Sequence, residues 1–236
     1  MWTRFAFIAS LSSGIIAGAD IHGSITIGKK FTRKNVTPVV GIYQRGVAVA
    51  LGTEDSDPLT YERSHVAVFL ESAPALEATK ASIEQRDRRF LPDMVVIPAG
   101  STVSFPNFDP IFHNVFSLSK AKSFDLGNFP KGQTRIVNFP KPGVVAVYCH
   151  LHSNMNATVV VTPNRWGTRV EGTGAFALKD VPPGTYTVVA WHKTAGTFRK
   201  IVNVGANGDS EVSFTLPYVE PGDLNPSVVA RPAGQR

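Results

Sequence analysis

The chain of 236 residues contains one cysteine, Cys149. An intrachain disulfide is therefore excluded, and so is a cysteine-rich zinc or iron–sulfur site. Methionine is almost as scarce, with 3 in all, one of them the initiator. Charged residues make up 18% against 43% hydrophobic, too little charge for a disordered chain and enough apolar material for real cores. The 24 Lys and Arg exceed the 18 Asp and Glu by only 6, a mild bias and not a nucleic-acid footprint. Long helical patterns are missing too, because 20 Gly and 17 Pro punctuate short β-branched runs. No internal repeat at a fixed period is present. The length suits one large or two ordinary domains.

Beyond the first residues no segment is apolar for long enough to cross a bilayer. The start itself reads as a secretory signal over residues 1–19: Arg4, an apolar stretch from Phe5 to Ile16, and Ala17-Gly18-Ala19 as the cleavage pattern. The alternative is an uncleaved anchor, for which the apolar core is short. The expectation is a periplasmic or otherwise exported protein with no transmembrane anchor after cleavage. Residues 218–236, proline-rich and beyond the last clear strand, read as a flexible tail. The basic cluster Lys29, Lys30, Arg33 and Lys34 reads as a solvated loop.

Between these ends short β-like runs dominate, among them Ile25-Thr-Ile27, Val66 to Leu70, Val144 to Tyr148 and Tyr186 to Trp191. Turn residues such as Pro98-Ala-Gly100, Pro142-Gly143 and Pro182-Pro-Gly184 separate them. The pattern predicts an all-β fold of sandwich type. Pro74 to Arg86, with its Ala and Glu, is the one helix candidate.

The most informative segment is Val144-Val-Ala-Val-Tyr-Cys149-His-Leu-His152-Ser-Asn-Met155. An apolar strand ends at Cys149, and His152 and Met155 follow at intervals of three. A tight loop brings those side chains to one point, and His113 upstream supplies a fourth. Two imidazoles, one thiolate and one thioether are the donors of a trigonal copper site with a weak axial Met. Singly each has a bland reading: a buried thiol, a satisfied polar residue, a core filler. The ordered set is far more specific.

That set, with Ile97-Pro-Ala-Gly100, Val103-Ser-Phe-Pro-Asn107 and His113-Asn114-Val115, resembles the cupredoxins, the blue-copper electron-transfer proteins, from about Phe90 to Thr162. The short Cys-x-x-His-x-x-Met loop is most similar to that of the amicyanin group. The resemblance implies a Greek-key β-sandwich over residues 85–162 holding one type 1 copper ion. It implies His113, Cys149, His152 and Met155 as ligands. Asn114 would tie the two ligand loops together and help position the sulfur. Of the seven phenylalanines between 105 and 139, most are expected in the core and some around the metal.

His150 follows Cys149 directly, an adjacency also found where a blue-copper site feeds a catalytic copper. Such a centre needs more histidines than His22, His65 and His192 supply. Strand alternation should turn His150 away from the sulfur. Trp191-His192 reads as a strand end.

After Pro163 the run Gly174-Ala-Phe-Ala-Leu-Lys-Asp-Val-Pro-Pro-Gly-Thr-Tyr resembles the carboxypeptidase-regulatory-like, transthyretin-type β-sandwich, expected over residues 163–217. Strands such as Gly23 to Ile27 and Val66 to Leu70 would complete it. Residues 20–84 are therefore either its N-terminal strands, with the copper domain inserted, or an extension of the cupredoxin.

The functional expectation is an electron carrier, not an enzyme, cycling Cu(I)/Cu(II) between periplasmic partners such as a c-type cytochrome, an oxidase or a dehydrogenase, with no role for nucleic acid. The alternative is copper storage or delivery, which three methionines and one rigidly placed cysteine favour less. A thiol hydrolase using Cys149 and His152 lacks an orienting acid and leaves His113 and Met155 unexplained.

Overall fold

The computed structural model describes residues 18–28, 31, 57, 59–73, 77–206 and 208–216. Residues 1–17 of the signal, the basic cluster and the tail at 218–236 lie outside the described residues. The molecule is all-β. In chain order its elements are β1 (Ala19–Ile27), α1 (Thr60–Arg63), β2 (Val66–Leu70), β3 (Lys80–Ser82), β4 (Glu84–Arg86), β5 (Arg89–Leu91), β6 (Met94–Pro98), β7 (Ser101–Pro106) and β8 (His113–Ser119). They continue with β9 (Lys122–Phe129), β10 (Thr134–Phe139), β11 (Gly143–Tyr148), β12 (Asn156–Thr162), β13 (Gly167–Arg169), β14 (Ala175–Val181), β15 (Gly184–His192), β16 (Gly196–Val204) and β17 (Ser210–Leu216).

These strands form two sandwiches. The inner one sets the sheet β10-β7-β3 against the sheet β6-β12-β11-β8-β9. Its core follows from period-two alternation: Val103 and Phe105 of β7, Val137 and Phe139 of β10, and Val145 and Val147 of β11 all point inward and are buried. The outer one sets β14-β1-β17 against β13-β2-β15-β16. Ile21, Ile25 and Ile27 of β1 meet Val66, Val68 and Leu70 of β2 in its core, with Phe176, Val188, Val202 and Phe214. Each such side chain taken from water contributes roughly 1.5–3 kcal/mol.

The outer sandwich is discontinuous in sequence. β1 pairs antiparallel with β14 and parallel with β17, and β2 pairs antiparallel with β13 and β15. The segment carrying β3 to β12 lies between the two halves. Gly23 in β1 marks a close approach: a Cβ there would meet the Val212 carbonyl and the Phe176 ring, so no side chain fits.

The helix expected over Pro74 to Arg86 is not formed in its described part, residues 77–86. Residues 80–82 pair parallel with β7, and residues 84–86 pair with β5. Ile83 and Gln85 are fully buried while their neighbours are not, a strand period that tertiary pairing imposes over helix propensity. The helix that does form, α1, is one turn and comes earlier. No helix among the described residues is long and apolar enough to cross a membrane.

A polar cluster and a small apolar one join the sandwiches. Ala67 of β2 packs with Met94 and Val160 of the inner sheet. Beside them His65 Nε2 stands 3.0 Å from Asp93 Oδ2, Arg169 reaches the other oxygen at 3.9 Å, and the Arg169 guanidinium donates to the Met94 carbonyl. Burial alone would raise the Asp93 carboxyl, but His65 and Arg169 hold it below the usual carboxylate value. A depressed folded-state pKa means stability present above the unfolded value of about 3.9 and lost as pH falls through the folded one. Asp93→Asn should therefore lower stability near neutrality and converge with the wild type in acid. Denaturant titrations across that range check this, and parallel curves would rule it out.

Candidate metal centre

Sheet order brings the candidate residues together. β8 and β11 are neighbours, paired at Phe116 and Tyr148. His113 opens β8, and Cys149 directly follows β11. β11 and β12 form a hairpin with Tyr148 opposite Asn156, so residues 149–155 are its connecting loop. The Met155 N–H donates to the His152 carbonyl at 3.0 Å, which tightens that loop.

One nitrogen each of His113 and His152 and the sulfur of Cys149 lie within 4.8 Å of one another. His113 Nδ1 is 3.1 Å from His152 Nδ1, and Cys149 Sγ is 3.8 Å from the same nitrogen. Donors bound at about 2.0–2.3 Å to one ion stand at most about 4 Å apart, so the separations of 3.1 and 3.8 Å suit a common metal. His113 is fully buried and Cys149 nearly so, while His152 keeps partial exposure. Met155 is buried in the same core cluster as Cys149. Burial, reinforced by His113 and Arg88, pushes the His152 imidazole below its ordinary value, toward the neutral form a metal needs.

The surroundings aim these donors. The Asn114 N–H points at Cys149 Sγ at 3.4 Å. Its side-chain oxygen accepts from the His150 N–H at 3.4 Å, and its amide donates to Asp125 Oδ1 at 2.7 Å. Asn114 thus bridges both ligand loops and a third strand, β9. Asp125 is held below the usual carboxylate value by the Gly127 N–H and by Asn114.

Asp109 has no counterpart in the sequence reading. Its Oδ2 lies 2.7 Å from His113 Nε2, and its two oxygens accept the N–H groups of Asp87 and Arg88. A carboxylate there fixes the imidazole proton on Nε2 and leaves Nδ1 free to face Cys149 and His152. Burial works against the Asp109 charge, yet these donors hold its pKa below the ordinary value. The only sequence signal was an acid four residues ahead of His113 in a turn-forming stretch.

His150 is turned outward. Its ring stacks on Phe116 at 3.7 Å and 4°, and its Nε2 lies 3.5 Å from Asp125. Of the seven phenylalanines, Phe105, Phe129 and Phe139 are fully buried, Phe116 and Phe124 half-buried, and Phe108 and Phe112 exposed. His192 is buried against Glu62 in the outer sandwich, remote in the chain from the His–Cys–His group.

An all-β chain of two sandwiches, with a His–Cys–His donor group at the strand ends of the inner one, is what fold and site define. Residues 154–217 match the family model of the carboxypeptidase regulatory-like domain. The match starts ahead of Pro163, and being contiguous it leaves out β1 and β2, which the fold adds to the same sandwich. No curated protein matches the chain. Solved structures similar to part of it include a copper-containing nitrite reductase from Thermus scotoductus SA-01, at 25% identity and TM-score 0.34 over 38% of this chain and 24% of that one. This chain therefore covers about a quarter of that enzyme. A purple cupredoxin from Nitrosopumilus maritimus is 26% identical over 35% of this chain and 99% of its own, at TM-score 0.32. An amicyanin from Paracoccus versutus is 24% identical over 40% and 96%, at TM-score 0.33.

Proposed function

We propose that the protein is an exported type 1 copper electron carrier and not an enzyme. The observation that carries this reading is the convergence of His113, Cys149 and His152 on one point, with Met155 buried in the same core cluster as Cys149. One soft thiolate, two imidazoles and a thioether are the donors that copper takes in electron-transfer sites. Copper held there would supply a one-electron Cu(I)/Cu(II) couple. The chain's own residues keep that place rigid: Asp109 orients His113, the Asn114 N–H is aimed at the sulfur, and the inner core excludes water from Cys149. Rigid donors limit rearrangement between oxidation states.

Exposed Phe112 and Leu151, each next to a ligand histidine in sequence, offer an apolar rim for a redox partner such as a c-type cytochrome, an oxidase or a dehydrogenase. The full chain's net charge of +6, reduced by one when Arg4 leaves with the signal, favours an acidic partner. Storage or delivery of copper is the competing reading.

Visible absorption and EPR spectra of the Cu(II)-loaded protein beside Cys149→Ala test it. The expected result is an intense thiolate-to-copper band with narrow hyperfine splitting, absent in the variant. A colourless protein with an ordinary type 2 signal, giving up its copper rapidly to a chelator, would move delivery ahead.

A further inference from the structure

A second group of potential ligands lies on the outward face of the outer sandwich, where β1 begins. Ile21 points into the core and is fully buried, so Asp20 and His22 flank it on the opposite face. β17 runs parallel to β1 with Ser210 opposite Ile21, which sets Asp209 beside Asp20 at the same end of the sheet. His22 Nε2 is 3.5 Å from Asp209 Oδ2 and 3.7 Å from Asp20 Oδ2. The register of β1 against β14 shifts between Ala19 and Ile21, and the Asp20 N–H is directed instead to Asp209 Oδ1 at 3.0 Å. Asp20 Oδ1 also accepts the Asp180 N–H at 3.0 Å, while His22 Nε2 stands within reach of both carboxylates, and Asp209 within reach of the Asp20 nitrogen.

In the uncut chain that nitrogen is an amide without a basic lone pair. Asp20 is also the residue that signal cleavage after Ala19 would expose. Hydrolysis of the Ala19–Asp20 bond, with water adding across it, frees the Ala19 carboxylate and leaves Asp20 with a primary α-amine.

We propose that this cleavage completes a second metal site, in which the Asp20 α-amine, the Asp20 and Asp209 carboxylates and the His22 imidazole hold one divalent copper ion. The proposal rests on the export reading but not on the His113–Cys149–His152 centre. Nitrogen and oxygen donors sit about 2.0–2.2 Å from such an ion, so two of them stand at most about 4 Å apart. The separations of 3.0, 3.5 and 3.7 Å all fall inside that limit. The amine and the β-carboxylate of one aspartate close a six-membered chelate ring, and Asp209 and His22 complete a mixed nitrogen and oxygen set. Such a set suits tetragonal Cu(II), which also binds most tightly among the divalent first-row metals. The two carboxylates balance the ion's charge. Lys179 Nζ, 3.7 Å from Asp20, belongs to a side chain 73% exposed and is free to swing aside.

The test uses the full chain, exported and purified. Intact mass reads whether it begins at Asp20. Cu(II) is then titrated into the Cys149→Ala protein and, in parallel, into wild type already loaded with one copper. One Cu(II) with a broad-hyperfine tetragonal EPR signal is expected in both. His22→Ala and Asp209→Asn should each weaken it about 10-fold or more. Inserting Gly-Ser between Ala19 and Asp20 moves the new amine away and should abolish the signal.

A mass that retains residues 1–19 overturns cleavage after Ala19, and this site with it. A processed chain without the signal, or one indifferent to His22→Ala, overturns the site alone. Loss with His22→Ala but not with Asp209→Asn also overturns it, since the ion would then be held by a peeled N-terminus through amide nitrogens. Failure of the inner centre shows separately, as a missing thiolate band.

Discussion

Asp109→Ala is expected to lower the unfolding free energy of the metal-free protein by about 3 kcal/mol or more, and to weaken copper binding about 10- to 100-fold. The buried carboxylate accepts three donors: His113 Nε2 and the N–H groups of Asp87 and Arg88. Each donor left without a partner costs about 1–3 kcal/mol. Asp87 and Arg88 both sit at φ 54°, a left-handed turn that side chains resist and that the carboxylate holds in place. With the carboxylate gone, nothing keeps the His113 proton on Nε2.

Asp109→Asn should recover part of both losses. Turned one way, the amide NH2 faces only the Asp87 N–H and spares the contact to His113. Turned the other, it opposes both Arg88 and His113. The first orientation wins, so one hydrogen bond is lost and the imidazole faces a neutral oxygen in place of a charged one. A less electron-rich ligand should raise the reduction potential. Denaturant titration of the apoprotein, chelator competition for copper, and voltammetry read the three effects. If Ala and Asn are equivalent in all of them, Asp109 does not orient His113.

Phe105→Ala is expected to cost about 3–5 kcal/mol, the range for emptying a fully buried aromatic site. Phe105 lies at 0% exposure in β7, with its ring 6.4 Å from that of Phe124 and in the same core cluster as Cys149 and Met155. The natural control is Phe214→Ala in β17, equally deep in the other core. Its cost should be similar, but its consequences should differ. Emptying the inner core loosens the cluster that also holds Cys149 and Met155 and should broaden the copper spectrum. Emptying the outer core should leave that spectrum unchanged. Identical spectral changes in both variants would mean that the two cores behave as one unit.

Much of this was readable from residue order, for a physical reason. Three of the four candidate ligands occupy one seven-residue loop, Cys149 to Met155, so their chemistry survives as local spacing. The sandwich strands were legible because Val, Ile and Phe alternate with polar residues at period two. Asp109 was not legible, because its partners Asp87, Arg88 and His113 meet only when the turn at 87–88 folds against the stretch leading into β8. The stretch from Pro74 to Arg86 misled for a related reason. Its Ala and Glu content favours a helix locally, and only the neighbouring β7 and β5 bury Ile83, between β3 and β4, and Gln85 of β4. The place of β1 was left open between two arrangements, since no local pattern tells a strand which partner it will find across the chain.

Asp20 and Asp209 hydrogen-bond across 189 positions. A contact of that span can form only once almost the whole chain has been made, and such closures are slow. Residues 80–162, by contrast, hold all the strands of the inner sandwich, so they emerge together. Domains fold as units in order of emergence. The protein is thus assembled on a timetable: the part that holds Cys149 takes shape first, while β1, the earliest of these strands, waits for β14 on one side and last of all for β17 on the other to close the sheet around it.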